Sequence, residues 1–140
     1  MNRAFRAGVK RQVEVTKEVA EQLVRKTLID MSAKIVKMSP VDTGRFRANW
    51  QFGRGAFNPT TTEETDPGGS ATQQRLMRAI NEGVKLGQSD VVYITNSLPY
   101  AFRLEYEGWS AQAPAGMVRV TVANFGPTIA RVAATIQGAR

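Results

Sequence analysis

The tripeptide with the clearest catalytic appearance is Asp42-Thr43-Gly44. Two such aspartates can share one proton in a hydrolytic site, as in aspartic proteases, and a dimer would supply the second copy. Here Arg45 and Arg47 follow directly, and their charge would stabilise the carboxylate and oppose the raised pKa that proton sharing requires. We expect a turn instead, because Asp bonds the backbone two residues on and Gly accepts a positive φ. A dimeric protease remains an alternative, with loss of cleavage in Asp42→Asn as its test.

The other candidate chemistry is weaker. Glu105 and Glu107 are two residues apart, so they would not share a face of a helix. The chain has no His and no Cys, which excludes a Ser-His-Asp triad, a thiolate nucleophile and the common zinc sites. No phosphate-binding loop is present. We therefore expect no enzyme activity, no cofactor and no metal site.

The net charge of +7 is concentrated at the two ends. Residues 1–11 carry four basic residues and no acidic one: Arg3, Arg6, Lys10 and Arg11. Residues 110–140 carry three basic residues and no acidic one, whereas residues 12–109 are balanced. Terminal basic segments often contact nucleic acid or an acidic partner surface, although they also serve solubility alone. We take the four N-terminal residues as candidate partner contacts and residues 1–11 as a basic arm.

The length of 140 residues suits one domain spanning 1–140. Apolar residues at helical spacing predict a helix over about 12–38, ended by Ser39-Pro40. A second apolar set on its far side, at Ile29, Ala33 and Val36, indicates either a covering subunit or ordinary surface hydrophobes. No apolar run approaches the roughly 20 residues that span a bilayer, and no signal peptide is visible, so we expect synthesis in the cytoplasm and no membrane contact.

The alternation from Phe46 to Phe52 predicts a half-buried strand after the turn. Residues 53–70 have no period and are rich in Thr, Gly and Pro, so we expect a flexible loop that is disordered in the free subunit. Ser70 and Gln73 then fit a capping box that opens a second helix, with Leu76, Ile80 and Val84 on its apolar face.

The last third predicts a buried strand over 90–95 and a short helix from Pro99 to Tyr106. Residues 117–125 fit either a strand or a helix. The longer helical stripe Val118, Val122, Phe125, Ile129, Val132 and Ile136 favours a helix kinked at Gly126-Pro127. The predicted fold is α+β, with a long N-terminal helix and a C-terminal helix packed on a small, mostly antiparallel sheet.

Several segments resemble one family in the same order along the chain. The run Ser39-Pro40-Val41-Asp42-Thr43-Gly44-Arg45-Phe46-Arg47-Ala48-Asn49-Trp50 is similar to the signature Ser-Pro-Val-Asp-Thr-Gly-x-Leu-Arg-x-x-Trp of phage neck and tail-completion proteins, which include the minor tail protein Z type. Three further segments also match: Tyr93 to Asn96, Pro99 to Tyr106, and Ser110 to Val118. One departure is Glu107, which stands between Tyr106 and Gly108, whereas the family has Glu-Tyr-Gly directly.

The resemblance implies a structural subunit of the virion neck, a head–tail connector made in the host cytoplasm. It implies a homo-oligomeric ring, of six subunits by tail symmetry. The expected neighbours are head-closure or adaptor proteins and tail-terminator or tail-tube proteins, with DNA in the channel as a further possible contact. It implies structural, non-catalytic roles for Pro40, Asp42, Thr43, Gly44, Trp50, Asn96, Pro99, Tyr100, Glu105, Tyr106, Pro114, Gly116 and Met117. The alternative from the basic ends is a small nucleic-acid-binding module.

Overall fold

The computed structural model describes residues 2–85, Gly87 and residues 91–138, without the side chains of residues 11–15. Its elements in chain order are α1 Arg3–Met38, α2 Arg45–Ala48, β1 Trp50–Arg54, α3 Ser70–Gly83, β2 Val92–Asn96, α4 Ala101–Tyr106, α5 Val118–Ala123 and α6 Phe125–Gly138. This confirms the predicted α+β class. None of the helices in these residues is long and apolar enough to cross a membrane.

Helix α1 begins nine residues before the predicted start. Asn2 caps it, because its side-chain oxygen accepts a hydrogen bond from the Phe5 amide at 2.7 Å. The helix has 36 residues and is therefore about 54 Å long. The apolar period missed the first turns because residues 2–10 are exposed and bury no stripe. The expected basic arm is thus the exposed start of a helix.

The second half of α1 has neighbours from the same chain on two sides, α3 and α6. On one side Ile29 and Ala33 line a groove shared with α3. On the other side α6 lies along the helix, where Arg131 bonds Asp30 at 2.6 Å and the ammonium of Lys34 bonds Thr128 at 3.3 Å. Of the second apolar set, Val36 is buried, whereas Ile29 and Ala33 are half-buried and line the open groove beside α3.

The C-terminal region is helical, as preferred, but its buried face differs from the predicted stripe. Val122 and Phe125 are 57% and 45% exposed, whereas Thr121 and Thr128 are buried. Each threonine hydroxyl donates to the carbonyl four residues earlier at 2.8 Å, which satisfies its hydrogen bond inside the helix. The break between α5 and α6 falls at Asn124 rather than at Gly126-Pro127.

The sheet has two antiparallel strands, with register Trp50↔Asn96 to Arg54↔Val92. The prediction of a strand from Phe46 was wrong, because Arg45–Ala48 forms one helical turn instead. That turn starts at Gly44, whose φ is +94°. Phe46, Ala48 and Trp50 are all buried in the core, and burial at every second residue is also the pattern of a strand.

Helix α3 does not use the predicted capping box. Gly69 is its N-cap with no side-chain cap, and Ser70 is exposed. The carboxylate of Asp66 takes the role instead, accepting from the amides of Thr72 at 2.8 Å and Gly69 at 3.2 Å. The predicted apolar face is confirmed, because Leu76, Ile80 and Val84 are buried. Asp90, the predicted start of the second strand, lies outside the described residues.

The core lies where α1, α2, β1, α3 and α4 meet. Its buried members are Ile35, Val36, Phe46, Trp50, Leu76, Leu98, Leu104, Ala113 and Met117. Most of them belong to or flank the segments that carry the family resemblance, so those segments build one region of the molecule.

Candidate functional site: the interlocked motif region

The end of α1 is fastened to β1 by two buried side chains. The indole N–H of Trp50 donates to the hydroxyl of Ser39 at 2.8 Å, and that hydroxyl donates to the carbonyl of Ile35 at 2.7 Å. Pro40 is buried directly after Ser39 and stops the helix. This contact fixes where the chain leaves the long helix.

The turn at 41–44 leaves its polar side chains outside. Asp42 and Thr43 are exposed, and the Thr43 hydroxyl accepts the Arg45 amide at 3.2 Å. Gly44 is buried, and a Cβ there would lie 2.4 Å from the nitrogen of Pro67. Glycine is thus required both by the positive φ and by the close approach. The exposure of Asp42 matches a turn rather than a buried, proton-sharing pair.

Asn49, which the strand prediction placed on the solvent side, is fully buried. Its side-chain oxygen accepts the amide of Thr62 at 2.8 Å, and its NH₂ donates to the carbonyls of Thr62 at 3.0 Å and Arg45 at 2.7 Å. One side chain therefore holds both backbone groups of a loop residue. Asn49 lies at an unspecified position of the family signature, and its alternation with apolar neighbours suggested an outward face.

Arg47 also binds backbone rather than solvent. Its guanidinium donates to the carbonyls of Ser39 at 2.9 Å, Lys37 at 2.6 Å and Pro67 at 2.8 Å. Arg47 therefore binds the loop 55–69 to the end of α1, and Asn49 holds the same loop at another point. The composition that predicts disorder in this loop does not reveal these contacts, because the partners lie elsewhere in the chain, and disorder in the free subunit stays a prediction.

Two further side chains complete the frame around the sheet. Arg75 of α3 donates to the carbonyls of Ala48 at 3.2 Å and Trp50 at 2.7 Å. The side-chain NH₂ of Asn96 donates to the carbonyl of Phe46 at 2.9 Å. The side-chain oxygen of Asn96 accepts the backbone N–H of Leu98 at 3.2 Å. Arg75 lies outside the quoted motif, so nothing in the sequence pointed to it.

Glu105 links the third and fourth segments of the resemblance. Its buried carboxylate accepts the amides of Met117 at 2.8 Å, Val118 at 3.0 Å and Arg119 at 2.8 Å. The side chain of Arg119 bonds the same carboxylate at 3.3 Å and also the Glu105 carbonyl. Gly116, with φ +86°, lets the chain pass, since a Cβ would lie 2.6 Å from that carbonyl.

The pKa of Glu105 reflects this arrangement. Burial alone would raise the pKa, but the hydrogen bonds from Met117, Arg119 and Val118 outweigh burial and hold the pKa below its usual 4.5. The carboxylate is therefore kept ionised as an acceptor, which does not suit a general acid.

Gln112 fastens the last segment to the first. Its side chain accepts the amide of Val41 at 2.9 Å and donates to the carbonyl of Val41 at 3.0 Å. Gln112 and Val41 both line an open cleft of about 570 Å³, whose lining also includes Tyr100 and Trp109. The ring centres of Tyr100 and Trp109 are 6.5 Å apart, and Arg103 lies 5.4 Å over the indole. Trp109 is thus a wall of this cleft despite the inserted Glu107.

The remaining predicted residues divide between core and surface. Met117 is buried, whereas Pro99 and Pro114 are exposed. Tyr106 is 56% exposed and carries Arg119 4.9 Å above its ring. The structure therefore brings the predicted motif residues into one continuous region with both buried and exposed members.

The basic candidates lie apart from this region. Arg3, Arg6 and Lys10 are exposed on the first turns of α1, at i, i+3 and i+7, and so share one face of the helix. The side chain of Arg11 lies outside the described residues. Residues 16–18 are also exposed, so the first turns project beyond the packed core.

Comparisons of the chain with protein families, with curated proteins and with solved structures found no match. Within the described residues, no group of three or more acidic side chains is placed to hold a metal ion. The polar side chains described above are engaged with backbone groups, so the arrangement acts by holding segments at fixed positions.

Proposed function

We propose that the chain is a structural subunit of a bacteriophage neck, which completes the tail and joins it to the DNA-filled head, and that it is not an enzyme. The observation that carries the proposal is the convergence of the resembling segments. Gln112 bonds Val41, Asn96 bonds Phe46 and Glu105 bonds Met117, although each pair comes from different segments. These contacts hold segments that are distant along the chain in one fixed shape, which is what a structural subunit requires.

The proposed assembly is a homo-oligomeric ring, with six subunits by tail symmetry. Rings arise from heterologous contacts, in which two different surfaces of each subunit meet. The hydrogen bonds between segments of the motif region support this role, because a ring closes only when each subunit presents its two surfaces at one angle. The proposed neighbours are head-closure or adaptor proteins on one side and tail-terminator or tail-tube proteins on the other. The subunit is made in the host cytoplasm and resides in the virion.

A second candidate is a small nucleic-acid-binding module. The observation that favours it is the shared basic face of Arg3, Arg6 and Lys10 on the projecting start of α1. Phosphate contacts make such binding weaken steeply with salt. The logarithm of the binding constant falls against the logarithm of the salt concentration with a slope of about 0.9 per neutralised phosphate. Tight, strongly salt-dependent binding of duplex DNA by the isolated protein would favour this candidate over the ring subunit.

The proposal is tested by removing the gene from the phage that carries it. Infection should then yield DNA-filled heads and separate tails that lack this last component, and purified protein added to the lysate should restore infectivity. Protein carrying Asp42→Asn should restore it equally, which also separates the proposal from the protease alternative. Infectious, joined particles without the gene would refute the proposal.

A further inference from the structure

The first turns of α1 carry apolar and cationic side chains side by side. Phe5 is 57% exposed and Val9 is 47% exposed, and at i and i+4 they form one stripe on the helix. Arg6 and Lys10 form the adjoining stripe, and neither has an ion pair or a side-chain hydrogen bond within the described part of the chain. These four residues form the α1 tip. A partner for the α1 tip has to offer apolar groups and negative charge together.

The open cleft beside the turn at 41–44 offers both kinds of group. Its volume of about 570 Å³ lies within the range of roughly 300–1,000 Å³ that is typical of clefts that hold a ligand. Three aromatic residues line it, Phe46, Tyr100 and Trp109, and so does the acidic Asp42. The ring centre of Tyr100 is 5.9 Å from that of Phe46 and 6.5 Å from that of Trp109. Aromatic rings pack against apolar side chains and also attract cations over their faces.

Asp42 carries the unpaired charge of this cleft, which we name the Asp42 cleft. The residue is exposed, and its carboxylate has no ion pair or hydrogen bond among the described residues. Arg45 also lines the cleft, but its guanidinium pairs with Glu63 at 2.9 Å and donates to the carbonyl of Thr62 at 3.1 Å. The charge that the cleft leaves unpaired is therefore negative, in a chain whose net charge is +7.

The α1 tip and the Asp42 cleft lie at opposite ends of one helix. The tip is on the first turns of α1, whereas the turn that lines the cleft follows the last helical residue, Met38. A continuous helix of 36 residues keeps them about 50 Å apart, so the tip cannot enter the cleft of its own chain. Complementary surfaces at two ends of a subunit join copies head to tail, which is the heterologous contact that closes rings.

We propose that the α1 tip of one copy docks into the Asp42 cleft of the next copy. Phe5 and Val9 pack against the aromatic rings, while Arg6 and Lys10 approach the carboxylate of Asp42. A second copy is the occupant because it carries an exposed surface with the apolar and cationic groups that the cleft matches, on an end of the molecule that projects beyond the core. This contact rests on the proposed ring and names the two surfaces that form it.

The test measures self-association of the full-length protein by sedimentation, at concentrations up to millimolar. Asp42→Lys should weaken self-association about tenfold or more, because it sets like charges against each other. Arg6→Glu combined with Lys10→Glu should weaken it equally, for the same reason. An equimolar mixture of the two variants should associate like the wild type, because every cleft then meets a tip of opposite charge. Glu82→Lys, the same charge change at an exposed residue outside the cleft lining, should leave self-association unchanged.

Crosslinking locates the contact, because the chain has no Cys of its own. Protein carrying only Ala7→Cys, beside the α1 tip, is mixed with protein carrying only Ala111→Cys, in the cleft lining, and treated with a short bismaleimide. The two should crosslink about tenfold faster than Ala7→Cys mixed with Ser70→Cys, because docking raises the effective concentration of the paired thiols. Ser70 is as exposed as Ala111 but lies outside the cleft.

Three results would overturn the contact: no self-association of the wild type at millimolar protein, no recovery in the mixed variants, or equal crosslinking at Ala111 and Ser70. Asp42→Asn keeps an acceptor oxygen in the same place, so it should weaken the contact by about threefold at most. A neck ring whose copies meet through other surfaces would overturn this contact and leave the proposed function intact. Head-to-tail association of a protein that is absent from the neck would overturn the proposed function alone.

Discussion

Asn49, Glu105 and Gln112 each place a planar side-chain group against the backbone of a distant segment. Asn49 and Gln112 bond both the amide and the carbonyl of one residue, as a neighbouring strand would. Buried polar groups must be satisfied, and removing one partner costs about 1–3 kcal/mol. Among the described residues the sheet has two strands, and these side chains hold segments that ladder hydrogen bonds would hold in a larger sheet.

Glu105→Gln should lower the free energy of unfolding by about 1–3 kcal/mol, because an amide NH₂ would then face backbone donors. The matched control is Glu107→Gln, whose partner Arg103 is 3.9 Å away in an exposed pair, and its effect should stay below about 0.5 kcal/mol. Urea unfolding measures both. Equal stability of the two variants would contradict the role given to Glu105.

The same carboxylate predicts a pH dependence. Its folded pKa lies below 4.5, so its contribution is fully present above about pH 4.5 and is lost as the pH falls through the folded pKa. The difference in melting temperature between wild type and Glu105→Gln should therefore be largest at neutral pH and shrink in acid. A difference that stays constant from pH 7 to pH 3 would show that ionisation of Glu105 is irrelevant.

Comparing Gly44→Ala with Gly55→Ala separates the steric conflict of an added Cβ from the strain of a positive φ. Gly55 also has positive φ, +76°, but a Cβ there meets nothing within 4 Å. Gly55→Ala should thus cost roughly 1 kcal/mol from the backbone conformation alone. Gly44→Ala should cost clearly more, because its Cβ would overlap Pro67. Identical denaturation midpoints would argue against this close packing.

The hydrogen-bond partners of individual side chains were the feature that the sequence predicted least well. Arg47 matches the family signature and Asn49 stands at an unspecified position within it, and alternation with buried neighbours suggested that both faced solvent. Their bonds to Thr62 and Pro67 join residues 13 and 20 positions apart, and no local pattern encodes such pairs. Glu105 and Gly116 were predicted as structural, but only the fold explains why they belong together.

Elements with strong apolar periods were predicted well. α1, α3 and the helical C-terminal region follow from their spacing, and β2 from its β-branched and aromatic residues. α2 was missed because burial at every second residue is ambiguous over so short a stretch. The capping box at Ser70 was displaced by Asp66, whose carboxylate reaches the same helix end from the loop.

For the loop 55–69, composition predicts disorder in the free subunit, whereas its contacts predict an ordered backbone at Thr62. Since Asn49 bonds both backbone groups of Thr62, the Thr62 amide should be protected from hydrogen exchange already in the isolated subunit. Asn49→Ala should remove that protection, while exposed Thr60, whose amide bonds only nearby Asn58, stays fast in both proteins. Rapid exchange at Thr62 in the wild type would restore the original expectation of a disordered loop.

At the scale of the whole molecule, the basic residues at the start of α1 lie apart from the motif region. The motif region joins the segments of the core, whereas Arg3, Arg6 and Lys10 lie on the projecting first turns of a helix about 54 Å long. Exposed charges contribute little to stability but speed encounter and set register with a partner. The basic end of α1 is therefore suited to docking rather than to folding.

Changing Arg3, Arg6, Lys10 and Arg11 together to Gln should leave the melting temperature unchanged but slow the joining of tails to heads. The defect should grow with salt, where the residual attraction is screened. The matched control neutralises four exposed basic residues elsewhere, Lys26, Lys37, Arg78 and Lys85, and should join normally. Normal joining by the N-terminal variant at every salt concentration would show that these charges face only solvent.

The most direct test of the central claim is a reconstruction of the virion neck by electron microscopy, in the phage that carries this gene. We expect a ring, of six copies by tail symmetry, between head and tail. Each copy should fit the α+β domain, with the first turns of α1 against an adjoining component. Virions that lack the protein, or that hold it anywhere other than the junction of head and tail, would contradict the account.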